Sequence, residues 1–186
     1  MAYQLSFWEV IKAFFVPVDP VFYLFLAILL AGVGIPVGSL LYALRKGVPF
    51  RKLLLMPVTV MVVLAVIPVM SLLYTGSGWR LENGKLQMKA TPGALESVEL
   101  KKARVTLVES TGPWQATLRT NGIGLSGFSA GRFKFKNGKE ALYFRYVESP
   151  HKVVLESDGR YYVLSYPGVE ELYWELIARG ARPAEL

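Results

Sequence analysis

Apolar and polar positions follow two regimes along this chain. Val21 to Leu44 and Leu53 to Tyr74 are apolar runs without one charged residue, joined by the short basic segment 45–52, which contributes Arg45, Lys46, Arg51 and Lys52. Each run exceeds the roughly 20 apolar residues that cross about 30 Å of hydrocarbon as a helix. Beyond Tyr74 the regime changes to short β-rich runs punctuated by Asn83-Gly84, Asn137-Gly138 and Asp158-Gly159. Such dipeptides between strands are hairpin signals, because both turn positions favour positive φ. The last regime is helical: Val169, Leu172, Tyr173, Leu176 and Ile177 share one face, with Glu170 and Glu171 at its start and Gly180 at its end.

These patterns predict an α+β membrane protein. Residues 1–20 form an N-terminal arm, 21–74 a two-helix transmembrane hairpin with spans 21–44 and 53–74, and 77–180 a β domain. That domain is expected as an antiparallel β-sandwich or open barrel closed by a C-terminal helix over 167–179, with Pro167 in its first turn. The arm carries Leu5, Phe7, Trp8, Ile11, Phe14 and Phe15 among few polar groups and lacks the basic start of a cleavable signal. It is expected as a short helix lying in the membrane interface, ended by Pro17 and Pro20. Short Lys/Arg-rich loops stay cytoplasmic, so loop 45–52 is placed inside and the β domain outside a multi-pass protein of the cell membrane.

Charge refines this picture. The chain carries a formal net charge of +7, but four cations sit in loop 45–52, where topology accounts for them. The sixteen basic and twelve acidic residues after position 74 leave the domain modestly positive, and no nucleic-acid partner is expected. There is no cysteine and a single histidine, His151, so disulfides, thiolate chemistry and a metal site are not expected, nor is a cofactor. Neither apolar run holds Asp, Glu, Lys, Arg, His, Asn or Gln, the side chains a proton relay or ion pathway needs.

Two sets of residues are candidates for recognition. Arg132, Lys134 and Lys136 alternate with Phe133 and Phe135, which in a strand puts the cations on one face; Arg119 and Lys139 are expected nearby. This group is the candidate contact for an anionic lipid or an acidic partner. Ala27, Ala31, Gly34 and Gly38 form a small-residue stripe suited to close helix packing, on the chain's own second helix, on a second copy or on another membrane protein. Gly127-Phe128-Ser129-Ala130-Gly131 matches GxSxG, with Glu140, Glu148 and His151 following in hydrolase order, yet strands rather than a helix follow it. Esterase chemistry at Ser129 is therefore a remote alternative, and no catalytic residue is assigned. The glycine-rich stretch 122–131 is read as a loop needing unusual backbone angles, with anion cradling as the alternative.

The run from Arg119 through Asn121-Gly122, Gly124, Gly127-Phe128 and Gly131 to Phe133, then Asn-Gly, a Val-Val-Leu strand, Tyr-Tyr-Val-Leu-Ser-Tyr-Pro and a closing helix resembles the bacterial PH-like (pleckstrin-homology-like) domains attached to membrane spans. The resemblance covers residues 77–180. It implies two packed antiparallel sheets capped by a helix, and a binding or scaffold module that engages membrane lipids, a membrane protein or itself, not an enzyme. Lipid-binding PH domains use a long basic loop between their first strands, whereas the tight Asn83-Gly84 turn stands there in this chain.

Overall fold

The computed structural model describes residues 1–15, 20–46, 55–125 and 127–186. Most of loop 45–52, together with Pro17, lies outside these. The chain starts with strand β1 (Ala2–Gln4) and helix α1 (Phe7–Phe14), followed by the long helices α2 (Pro20–Arg45) and α3 (Leu55–Tyr74). The β-rich part runs β2 (Gly78–Glu82), β3 (Lys85–Thr91), β4 (Ala94–Glu99), a 3-10 turn (Leu100–Lys102), β5 (Arg104–Glu109), β6 (Ala116–Gly124), β7 (Phe128–Phe135), β8 (Glu140–Tyr146), β9 (His151–Ser157) and β10 (Arg160–Ser165). Helix α4 (Val169–Ala178) and the short β11 (Arg182–Pro183) complete it.

The arm is not a separate surface element. β1 pairs antiparallel with β2, Tyr3 opposite Trp79, so the first residues of the chain join the sheet that begins after α3. Ser6 and Glu9 close a capping box at the start of α1, each side chain bonding the other residue's backbone N–H. Val10 and Ala13 turn inward and are buried, while Trp8 and Phe15 stay exposed. The boundary expected at residue 77 therefore needs residues 2–4 added, because Tyr3 stacks on Tyr166 at 4.5 Å between ring centres and Leu5 is buried.

The sheets are ordered β1-β2-β3-β4 and β11-β5-β9-β10-β8-β7-β6. The second departs from the all-antiparallel expectation: β10 runs parallel to β8, and β11 parallel to β5. β8 and β9 follow each other through only residues 147–150 but do not pair; β10 lies between them. The loop must span two strand spacings, about 10 Å. Val147 takes φ 60° there, a conformation costly for a β-branched residue.

One hydrophobic core joins both sheets, including Leu81, Leu86 and Met88 from the first and Phe128, Phe144, Leu155 and Leu164 from the second. Val169, Leu172 and Leu176 of α4 enter the same core. A second cluster (Trp114, Phe133, Phe135, Tyr143, Val154, Val163) covers the other face of the larger sheet. With both faces covered, β8, β9 and β10 read as almost continuous apolar runs, which is the pattern of buried strands.

Turn and cap details refine the sequence expectations. Asn83 and Asp158 adopt positive φ with the glycines that follow them, whereas Asn137 does not and only Gly138 turns left-handed. Helix α4 starts after Gly168, so Pro167 stands before the helix and not in its first turn. Its end is a Schellman motif: the Gly180 N–H donates to the Ile177 carbonyl and the Ala181 N–H to the Leu176 carbonyl. The connection read as a glycine-rich loop contains β6, which pairs with β7.

Among the described residues one helix is long and apolar enough to cross a membrane, over Leu26–Arg45, with mean hydropathy 2.0 and none of it buried; the continuous apolar stretch Val60–Tyr74 of α3 is shorter. Such a helix near an N-terminus serves as an anchor or as a secretion signal. The head is tied to this apolar part at close quarters. The Gly76 N–H donates to the Leu5 carbonyl, the Leu5 N–H to the Ser77 carbonyl, and Lys89 Nζ to the Thr75 carbonyl just past α3.

Gly78 permits the β1–β2 contact. Its φ is 144°, and a Cβ there would lie 2.0 Å from the Tyr3 carbonyl oxygen. Gly78→Ala is expected to lower stability by about 3 kcal/mol, as backbone cannot retreat. Gly93→Ala, left-handed but in open space, should cost only about 1–2 kcal/mol. Denaturant titration of the detergent-solubilised chain checks the ranking; equal losses would show that the β1–β2 contact contributes little.

Candidate functional site

The five cations chosen from sequence do not converge. Phe133 and Phe135 are buried on one face of β7, as the alternation predicts, and Arg132 and Lys134 project from the other. Arg132 donates to Glu96 at 2.7 Å, and Lys134 stands opposite Glu140 in the sheet. Lys136 is exposed just beyond the strand. Lys139 lies on the aromatic face instead, its ammonium 4.4 Å from the Tyr161 ring centre and 5.4 Å from that of Trp114. Arg119 on β6 pairs in register with Phe133, hence with that same face. The group is split across the sheet, and part of its charge is already paired.

The small-residue stripe is also displaced from its expected partner. Ala27, Ala31, Gly34 and Gly38 are exposed, and nothing lies within 4 Å of a Cβ built at either glycine. The partly covered residues of α2 are Leu26, Leu29, Gly32, Val33, Pro36, Ser39, Leu40 and Ala43. The stripe lies on the exposed side of the helix, away from these positions.

Ser129 lies inside β7, 4% exposed, not at a strand-to-helix elbow. It shares its face with Arg145, whereas His151 points to the opposite face and bonds Glu170 through Nδ1 at 2.6 Å. A serine–histidine pair is therefore not assembled. The glycines of this stretch serve close approach: a Cβ on Gly131 would lie 2.1 Å from the Asn121 carbonyl oxygen.

A different arrangement emerges on the outer face of the larger sheet. Ser129 on β7 is in register with Arg145 on β8, and Arg145 with Ser165 on β10. Lys152 on β9 stands next in the row, opposite Val108 of β5. The segment 110–115 folds over this row and leaves a cavity of about 380 Å³, lined by Ser129, Arg145, Ser165, Lys152, Tyr143 and Phe133, with Thr111, Gln115 and Glu148 at its exposed rim. Arg145 Nη2 donates to the Leu125 carbonyl at 2.7 Å. Lys152, 5% exposed, donates to the carbonyls of Ser110 at 3.0 Å and Trp114 at 3.1 Å, pinning the covering segment down. Burial, and then the Arg145 charge, push its ammonium down to about 8; Glu148 opposes the shift. Tyr143 beside it is pushed up to about 12 by burial.

Sequence reasoning missed this site. Lys152 sits in an apolar strand, His-Lys-Val-Val-Leu, and that interruption was the available signal. Among the described residues no group of His, Cys, Asp and Glu could hold a metal ion.

The sign of the pH effect follows from Lys152. A lysine whose folded-state value is depressed makes the native state bind fewer protons than the unfolded chain, so stability rises with pH above about 8. Buried tyrosines act oppositely, but only above their ordinary value near 10. Relative to Lys152→Met, the native chain should therefore gain on the order of 1 kcal/mol in unfolding free energy between about pH 8 and 10. Parallel denaturant titrations across that range check it; a flat difference would show that the ammonium is not strained. Comparison with protein-family models, with curated proteins and with solved structures gave no match.

Proposed function

We propose that this chain is a non-enzymatic, membrane-anchored binding or scaffold protein, in which a PH-like head is carried on a two-helix transmembrane hairpin. The observation that carries the reading is the β1–β2 pairing, which returns the chain to its own beginning after the apolar helices. A head fastened on both sides of the hairpin is held at the bilayer surface and not swung from a linker. Trp8 on α1 and Phe15 at its C-cap, both exposed, fit an interfacial position. The exposed stripe Ala27, Ala31, Gly34 and Gly38 is left for another membrane protein or a second copy. The basic loop 45–52 faces the cytoplasm and the head faces outward, in a multi-pass protein of the cell membrane.

An anionic-lipid-binding module is the second reading, favoured by the exposed cations Lys134 and Lys136 on the head. A serine hydrolase finds no support in the position of Ser129.

The absence of cysteine makes the topology directly testable. The full chain is expected to stay in the membrane pellet after alkaline carbonate extraction. In right-side-out vesicles, a membrane-impermeant maleimide should label Lys136→Cys and spare Lys46→Cys until the vesicles are opened. Release into the supernatant would sink the anchor; the reverse labelling pattern would invert the head.

A further inference from the structure

The geometry points to the cavity on the outer face of the larger sheet as a binding site for a phosphate-bearing ligand, held between Lys152 and Arg145. This inference deepens the binding-protein reading and rests on it for the ligand's biological setting, while the pocket itself stands on its own residues.

Three features of the pocket support it. First, Lys152 is a buried cation whose close partners are neutral. An ammonium has three donors. Two go to the Ser110 and Trp114 carbonyls, and the Tyr143 ring centre lies 5.7 Å from the ammonium, so every close partner is neutral. Neutral carbonyls satisfy the geometry of hydrogen bonding but do not balance charge. A buried charge whose nearest carboxylate, Glu148, stands only at the exposed rim is costly to hold, and a hydrophobic residue in the same place would avoid that cost.

Second, a further cation lines the same cavity. Arg145 and Lys152 flank Ser165 on neighbouring strands, about 10 Å apart by strand spacing. Their charges oppose each other strongly enough to contribute to lowering the Lys152 value. The one carboxylate lining the pocket is Glu148, at the rim and exposed. Two cations and several hydroxyls thus line a cavity whose one lining carboxylate, Glu148, stands at the exposed rim.

Third, the hydroxyls are arranged along the cations. Ser129 and Ser165 stand on either side of Arg145 in one cross-strand row. Ser165 makes only a long contact of 3.5 Å to the His151 carbonyl. A tetrahedral oxyanion takes donors from several directions, and this row offers an ammonium, a guanidinium and hydroxyls from different strands. Phe133 and Tyr143 supply an apolar wall for the remainder of the ligand. The volume is ample for a phosphate ester and larger than a bare ion needs.

Position adds to this. Ser129 is the second residue of β7, Arg145 is near the end of β8 and Lys152 near the start of β9. At this end of the sheet Phe128 meets Tyr74, the last residue of α3, and Tyr146 meets Tyr3. The pocket therefore lies toward the end of the head that carries the apolar helices. A phosphate ester could come from solution or from a lipid headgroup, and the chemistry recognised is the same.

The test uses the full chain and two probes. Calorimetry of the detergent-solubilised protein with glycerol 3-phosphate asks for the soluble form. Nanodiscs containing phosphatidic acid, against phosphatidylcholine alone, ask for the lipid form. Saturable binding of either probe is expected, weakened about tenfold or more in Arg145→Gln and in Lys152→Met, and changed less than about twofold in the double variant Lys134→Gln/Lys136→Gln. Ser129→Val supplies a further variant that leaves the pinning lysine in place, and decides the matter where Lys152→Met does not fold. No saturable binding of either probe overturns the site. So does binding that the Lys134/Lys136 double variant weakens as much as Arg145→Gln, which would assign the anion to the exposed strand. The glycerol 3-phosphate arm needs no bilayer, so it holds or fails independently of the carbonate extraction.

Discussion

The pairing of Ala2–Gln4 with Gly78–Arg80 is the constraint on which the rest depends. It closes a loop of roughly 70 residues, at an entropic cost of about 4 kcal/mol for a flexible chain. The two long helices inside the loop lower that cost by removing freedom in advance. What offsets the remainder is visible around Tyr3 and Leu5. Tyr3 stacks on Tyr166, Leu5 is buried, and backbone bonds link Leu5 to Gly76 and Ser77. Burial pushes the Tyr3 hydroxyl up to about 12, as expected of a phenol withdrawn from water. Without this closure α1 would lose the surface that buries Val10 and Ala13.

The same closure gives the exposed apolar residues of α1 their meaning. Trp8 is 67% exposed in a helix whose other side is fully committed to packing. In water such a residue adds unfavourable surface. At a headgroup layer its amphipathic ring is at home. The α1 helix thus has one apolar side packed against the chain and another left exposed, which is why its composition looked like that of a free interfacial helix. The sequence pattern described the apolar surface of α1 and left its packing against the chain's own elements unread.

Much of the rest was legible for local reasons. The Asn83-Gly84 and Asp158-Gly159 turns, the shared face of Phe133 and Phe135, and the amphipathic α4 follow from the backbone preferences of a few neighbouring residues. What was not legible depends on distant partners. Nothing in Ala2-Tyr3-Gln4 names Trp79 as its neighbour. Nothing in the short segment between Tyr146 and His151 says that β10 will insert there, since a link of that length ordinarily makes a hairpin. The cations of β7 were visible, but the pairing of Arg132 was not, because Glu96 comes from another sheet. The small-residue stripe was legible as a stripe; its direction depends on how α2 rotates against α3.

The displaced strand β10 also accounts for the polar row. Had β8 and β9 formed an ordinary hairpin, Arg145 and Lys152 would stand directly opposite or diagonal, with like charges in contact. Inserting β10 puts Ser165 between them and moves the charges one strand further apart. The strained Val147 is part of the cost of that arrangement. Strain in a loop, a buried ammonium and a second cation all oppose folding, and they occur together at one end of one sheet. A fold that only needed a closed core could place valine at 152, as it does at 153 and 154. Retaining the lysine there makes sense for a pocket whose charge is completed from outside the chain.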